Sequence, residues 1–327
     1  METKRTVIPD AEEILGGYFP VLDHGFVSLI DYMGSDESIE QAARVSYGFG
    51  TRKTSLTRGL IRYLRRHRHT TPSEMVELKF HCAMPMFVAR QWIRHRTASV
   101  NEYSGRYSLM PLLFYAPEYR DFAVQSESNR QGREGEPAPQ STYEEAIQRW
   151  EDVRHSASDT YGWLVAEDVA RELARIDLPL STYTQWYWKI DLHNLFHFLS
   201  LRADPHAQWE IQAFARVMAG MMKRVAPLSY EAWLDYEFCG EHLSHAELEA
   251  LRSLLETDGQ SLAGRADTDP LSIDDLKAHG LSKRESIELL EKLKPVEKPD
   301  FELDLSRMRS PEEFESRMRD AVPGDFE

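Results

Sequence analysis

Apolar residues fall into two rhythms along this chain, and the switch between them marks out its elements. The segment "HGFVSLIDYM" (24–33) is rich in β-branched and aromatic residues and predicts a strand. In "MVELKFHCAM" (75–84), Val76, Leu78, Phe80, Cys82 and Met84 alternate with Glu77, Lys79 and His81. That pattern predicts a half-buried strand with antiparallel neighbours. A helix starts at Ser35, where Asp36 and Glu37 complement the exposed amides of its first turn. Leu56, Leu60 and Leu64 place one apolar stripe on a helix over 55–68. Its other faces carry Arg58, Arg62, Arg65, Arg66, His67 and Arg68, either as a solvated face or as a basic mouth that gathers anions. Pro72 ends that helical run, and Pro85 opens a short helix toward Arg94.

Between Asp121 and Gln140 the chain is polar and broken by Gly and Pro, which predicts a long loop. Ser141 and Glu144 have capping-box spacing, and Ile147, Trp150, Val153, Ala157, Tyr161, Leu164 and Leu173 mark one long amphipathic helix after them. Beyond "IDLPLSTYTQW" the pattern is helical over 190–202. Asp204 as N-cap and Pro205 at the first position then predict a further helix that stops before Pro227. Past residue 240 come short charged helices with Ser244/Glu247 and Ser282/Glu285 capping boxes, punctuated by Pro270, Pro295, Pro299 and Pro311. The expected fold is α+β: a largely antiparallel sheet flanked by long helices, with a small C-terminal helical appendage. The expected division is a main domain over 1–240 and a partly disordered extension over 241–327.

Composition narrows the function. At 327 residues with 42% hydrophobic content and seven tryptophans, the chain can bury a substantial core. A net charge of −15 argues against bulk binding of nucleic acid or of an anionic membrane. Cys82 and Cys239 are the only cysteines and lack metal or redox spacing. The N-terminus has no apolar leader-like stretch, and no run of about 18 apolar residues occurs, so the expected location is cytoplasmic.

Against that acidic background, "RQWIRHRTASVNEYSGRYS" (90–108) gathers four arginines and a histidine with one carboxylate. Forked guanidiniums, an amide, hydroxyls and aromatic planes suit an anionic heterocycle. Arg175 and Arg202 are plausible partners from elsewhere in the chain. Gly48 and Gly50 form the only G-x-G, Lys53 stands where a dinucleotide fingerprint needs its third glycine, and no P-loop occurs. His193 and His197 have i, i+4 spacing but lack the accompanying glutamate of a zinc motif, so no metal is assigned. From the residues alone, an enzyme for an anionic, nucleotide-like ligand follows.

Arg94-His95-Arg96, seven residues and then Ser104 reproduce the RHR-x7-S signature, so the chain resembles the flavin-dependent thymidylate synthases. The match extends through "HTTPSE" upstream and "LARIDLPLSTYTQWYWKIDLHNLFHFLSLRADPHAQWEIQ" downstream, over residues 20 to 235. The resemblance implies a homotetramer with shared active sites that makes dTMP from dUMP. Methylenetetrahydrofolate would supply the one-carbon unit, and FAD reduced by NADPH the hydride. It assigns Thr71, Arg94, His95, Arg96, Glu102, Asp191, Leu192, His193 and His197 to FAD. It assigns Gln91, Arg94, Glu102, Tyr103, Ser104, Gly105, Arg106, Arg175 and Arg202 to dUMP. Arg202 would be the catalytic group facing the uracil ring. Ser104 would position the substrate rather than attack it, because no base is evident beside it. Neither cysteine lies in an electropositive stretch, so no protein nucleophile is expected.

Overall fold

The structure, a computed structural model, describes residues 6–45, 57–126, 132–257 and 271–323. Leu56, the G-x-G at 48–50 with Lys53, Pro270 and most of "NRQGR" (129–133) lie outside these residues.

The chain divides into two compact units, residues 1–233 with 301–327, and residues 234–300. The first unit opens with helix α1 (Pro9–Glu12), strands β1 (Tyr18–Val21) and β2 (Gly25–Met33), and helices α2 (Asp36–Val45) and α3 (Thr57–Arg66). A 3₁₀ turn (Thr71–Met75), β3 (Glu77–Pro85), α4 (Met86–Trp92) and β4 (Ser99–Glu102) follow. Next come a hairpin, β5 (Ala123–Gln125) with β6 (Arg133–Pro137), then α5 (Gln140–Ala166), α6 (Arg171–Ala174) and β7 (Tyr183–Asp191). Helices α7 (Leu192–Arg202), α8 (Trp209–Val225) and α9 (Pro227–Trp233) complete the central run.

Five strands form one sheet in the order β1-β2-β3-β7-β4, with every neighbouring pair antiparallel. The α+β expectation holds, and the alternation read in 75–84 is borne out: Leu78, Phe80, Cys82 and Met84 are buried. From β7, Trp186, Trp188 and Ile190 join them on the same face of the sheet. Trp92 of α4, fully buried, plugs this face with ring centroids 5.1–5.8 Å from Trp186, Trp188, Phe198 and Phe214. Burying these five rings supplies a large share of the hydrophobic driving force, since each removes about 150–250 Å² from water.

On the opposite face His81 bonds Tyr18 and Gln185, while Phe314 of the last helix, α13 (Pro311–Asp320), packs on Phe26 at 4.0 Å. The C-terminal stretch reaches this place by pairing Arg309 with Tyr18 through two backbone hydrogen bonds on the β1 edge. The unit of residues 234–300 contains a π turn (Leu234–Phe238) and α10 (His245–Thr257), α11 (Ile273–Ala278) and α12 (Lys283–Lys292). These helices enclose Ala250, Leu276, Leu281 and Leu289. Both expected capping boxes form there, at Ser244/Glu247 and Ser282/Glu285. Among the described residues no helix is long and apolar enough to cross a membrane.

Several local expectations are corrected. The helix after 140 starts at Gln140 behind Pro139, which puts Ser141 inside the first turn, and its capping box does not form. It also stops at Ala166: Asp168 takes φ 57°, and Val169 N–H closes back on Leu164 O at 3.0 Å. Leu173 therefore belongs to the separate α6. Asp204 caps no helix; its carboxylate accepts from His206 N–H at 2.7 Å, and α8 begins only at Trp209. Residues 190 and 191 close β7, so the helix expected from 190 begins at Leu192. The 121–140 loop contains the β5–β6 hairpin, held by Arg133 on the buried carboxylate of Glu210 at 3.0 Å. Of the basic stretch, Arg58, Arg66, His67 and Arg68 are exposed, as a solvated face requires, while Arg65 is buried. Arg58 and Arg62 pair with Glu231 of α9, and buried Arg65 lies over the Phe196 ring.

Candidate active site

The candidate residues assemble at two places. The first grows from α4 and β4. Anchoring Trp92 in the core turns Ala89, Arg90 and Ile93 outward into a cavity of about 400 Å³. After the turn at Arg94-His95-Arg96, β4 pairs with β7, setting Glu102 opposite Trp186, and Tyr103 N–H donates to Gln185 O at 2.8 Å.

The chain then winds tightly around Ser104, whose carbonyl accepts from Tyr107 and Ser108 N–H, both at 3.1 Å. Gly105 is buried at this turn because a Cβ there would lie 2.6 Å from Met110 Sδ and 3.1 Å from Arg175 Cδ. Tyr161 of α5 closes the back of the loop, its hydroxyl accepting from Met110 N–H at 2.9 Å. Arg175 enters as the residue that ends α6. The cavity thus collects Glu102, Tyr103, Ser104, Gly105, Arg106 and Arg175, all of them sequence-predicted. Arg106 also meets Glu172 at 2.8 Å in an exposed pair, which is worth little in water.

Among its described lining residues, three arginines (Arg90, Arg106, Arg175) face one carboxylate, Glu102. That surplus of positive charge in a −15 chain makes the cavity a local trap for an anion. The lining also includes Arg90, Met110, Thr184 and Trp186, which the sequence reading did not assign. Arg90 had a signal, since it belongs to the same basic run. Thr184 and Trp186 had none without knowledge that β7 exists. The Thr184 hydroxyl donates to Glu102 Oε1 at 2.8 Å.

The second set is strung along α7, from Asp191 at its start to Arg202 at its end. Arg202 Nε donates to His95 Nε2 at 3.0 Å, and the His95 ring sits 5.8 Å from His197 and edge-on to Phe198 at 4.9 Å. Burial, then the Arg202 charge, then His197 hold His95 down to about 4. Burial alone lowers Arg202 from its ordinary value.

Asp191 caps α7 by accepting from Asn194 N–H at 2.9 Å, and the 3₁₀ turn carrying exposed Thr71 packs against α7. The Leu192 side chain is fully buried and its N–H is bound to Val76 O. Two polar atoms nearby are orphaned: His193 Nδ1 and Gln91 Oε1 are buried without a partner among the described residues. Unpaired buried groups are costly, and His193 Nδ1 together with exposed Arg94 and Arg96 forms a donor and acceptor set that fits a flavin nucleotide. Among the described residues, Gln91, Arg94, His95 and Arg202 do not line the Arg175 cavity.

A family model described as thymidylate synthase complementing protein matches residues 28–228. A relative from Rickettsia bellii, named flavin-dependent thymidylate synthase, is 49% identical over 265 residues, covering 77% of this chain and 90% of the relative. One of the same name from Ehrlichia ruminantium (strain Gardel) is 48% identical over 295 residues, covering 89% of this chain and 93% of the relative. Among solved structures, a UMP/dUMP methylase, PolB, from Streptomyces cacaoi bound with 5-Br UMP is 33% identical with a TM-score of 0.59. It covers 65% of this chain and 96% of the other. The same protein bound with 5-Br dUMP is 32% identical, again with a TM-score of 0.59.

Proposed function

From the premise that this chain belongs to the flavin-dependent thymidylate synthase family, we propose that the Arg175 cavity holds dUMP and that its methylation to dTMP occurs there. Methylenetetrahydrofolate gives the one-carbon unit and NADPH the reducing power. FAD, when bound, supplies the hydride chemistry that no side chain can. The single observation that carries the placement is that Glu102, Tyr103, Ser104, Gly105, Arg106 and Arg175 line one cavity. Its volume, about 400 Å³, falls in the range of small-ligand sites.

The arginines act first. Arg106 and Arg175 hold the phosphate by charge-assisted hydrogen bonds, and the Ser104 turn fixes the nucleotide against them. Thr71, Arg94, His95, Arg96, Glu102, Asp191, His193 and His197, with the Leu192 backbone, are the residues to hold FAD. In this reading Arg202, a half-buried cation bonded to His95, is the catalytic residue and meets the pyrimidine of a neighbouring copy, where negative charge develops on the ring carbonyl and nitrogen. A preorganised donor of this kind contributes about 3 kcal/mol to the step. No thiolate takes part, because Cys82 is fully buried and its thiol is pushed well up by that burial.

Among the described residues, Gln91, Arg94 and Arg202 do not line the cavity of their own chain, so this reading assigns them to the dUMP of a neighbouring copy. The assembly is then a homotetramer with shared sites. Purified protein should be yellow, bleach with NADPH and form dTMP when dUMP and methylenetetrahydrofolate are supplied. A colourless protein that forms none overturns the reading. Mixing inactive Arg175→Ala and Arg202→Ala chains under exchange should restore part of the activity, which sites contained in single chains do not allow.

A further inference from the structure

Glu102 is the one acidic side chain among the described residues lining a cavity otherwise rich in arginine, and it sits on an edge strand whose four residues are all exposed. A glutamate in that setting samples several rotamers, and holding one of them costs entropy that the ligand would otherwise supply. The structure removes this freedom from the neighbouring strand. Thr184, in β7 and only 3% exposed, donates its hydroxyl to Glu102 Oε1 at 2.8 Å. Its own Cβ is branched and packed, so its rotamer is itself constrained.

The chemistry explains why a carboxylate belongs here. At neutral pH dUMP offers its phosphate and ring carbonyls as acceptors, which arginines read. Its donors are the ring N3–H and the sugar 3′-hydroxyl, and these need a fixed acceptor. Thr184 has a single proton and spends it on Oε1, which leaves the other carboxylate oxygen to meet the substrate donor. We propose that Thr184 is a positioning residue that presents Glu102 as the acceptor for a donor group of dUMP. This rests on the reading of the cavity as the dUMP site.

The test uses the full FAD-loaded enzyme. Thr184→Val keeps the branched shape and deletes the donor, whereas Thr184→Ser keeps the donor and removes a methyl. Thr184→Val should raise the KM and the calorimetric Kd for dUMP about 10-fold while kcat stays within about threefold. FAD content should match that of the unmodified enzyme. Thr184→Ser should recover most of the lost affinity, and Thr184→Val placed on Glu102→Gln should add almost nothing.

Unaltered dUMP binding in Thr184→Val overturns the inference, as does equal damage in Thr184→Ser, which would mean packing. Loss of FAD at unaltered dUMP affinity overturns it too, by assigning Glu102 to the flavin alone. An unmodified enzyme that forms no dTMP overturns the functional reading itself. An active enzyme with an indifferent Thr184→Val overturns only this inference.

Discussion

Arg202 and His95, 107 residues apart in sequence, meet through one hydrogen bond of 3.0 Å from the guanidinium Nε to the imidazole Nε2. A guanidinium only donates, so Nε2 carries the lone pair, and the neutral ring keeps its proton on Nδ1. The folded-state value of about 4 lies below the ordinary 6.5. Between those values the unfolded chain binds a proton that the folded chain refuses. The stabilisation from keeping His95 neutral is therefore full above 6.5 and is lost as pH falls through about 4. An NMR titration of the His95 ring should show no transition near 6.5. His95→Gln, which retains an acceptor, should preserve turnover better than His95→Leu, which strands the guanidinium.

Gly105→Ala should weaken dUMP binding. The new methyl drives into Met110 Sδ at 2.6 Å and presses on Arg175 Cδ at 3.1 Å. Overpacking of this sort costs about 1–3 kcal/mol, and with Arg175 displaced it should appear as a raised KM for dUMP with kcat less affected. Steady-state kinetics on the variant read this directly.

Tyr161→Phe deletes the hydroxyl that accepts from Met110 N–H and leaves that amide unpaired in a buried setting. The expected loss is about 1–3 kcal/mol, measured as a lower urea midpoint. Because the same loop carries Gly105, dUMP affinity should fall along with stability.

Replacing both cysteines, as Cys82→Ala with Cys239→Ala, should leave dTMP formation within about threefold of the unmodified enzyme, because neither thiol has the lowered pKa of a nucleophile. Burial pushes Cys82 well up, and burial also raises Cys239. Iodoacetamide should leave the activity of the folded enzyme unaltered.

Trp92→Ala empties the centre of an aromatic cluster made with Trp186, Trp188, Phe198 and Phe214. The cost should be about 3–5 kcal/mol in denaturant unfolding. The cavity is expected to lose dUMP as well, because Trp92 orients the helix that carries Arg90.

How legible each element was depended on how much of its pattern was local. Strand β3 alternates from Glu77 to His81 because one face lies on the core, before Cys82–Pro85 are all buried, and that alternation is readable without any partner. Strand β7 alternates as well, with Thr184, Trp186, Trp188 and Ile190 inward, yet it runs into α7 at Asp191 with no intervening turn. A strand that ends on a helix cap gives no local boundary, and the helical periodicity over 190–202 therefore reaches back over Ile190 and Asp191. Asp204 followed by Pro205 is a sound start signal, and the side chain preferred the His206 amide two residues on. The break at Asp168 depends on a left-handed non-glycine residue, which composition does not announce.

Residue types and their spacing were enough to establish the α+β class, the antiparallel sheet and the family motif around Arg94-His95-Arg96 and Ser104, because periodicity and short motifs are properties of neighbouring positions. Only the folded chain decided that Thr184 reaches Glu102, that Arg175 joins Ser104, and that Arg202 meets His95 apart from that cavity. Those relations are set by strand register and helix packing across about a hundred residues, where burial of Trp92 and its partners chooses which side chains face each other. One-dimensional spacing contains no information about that choice until the core has closed.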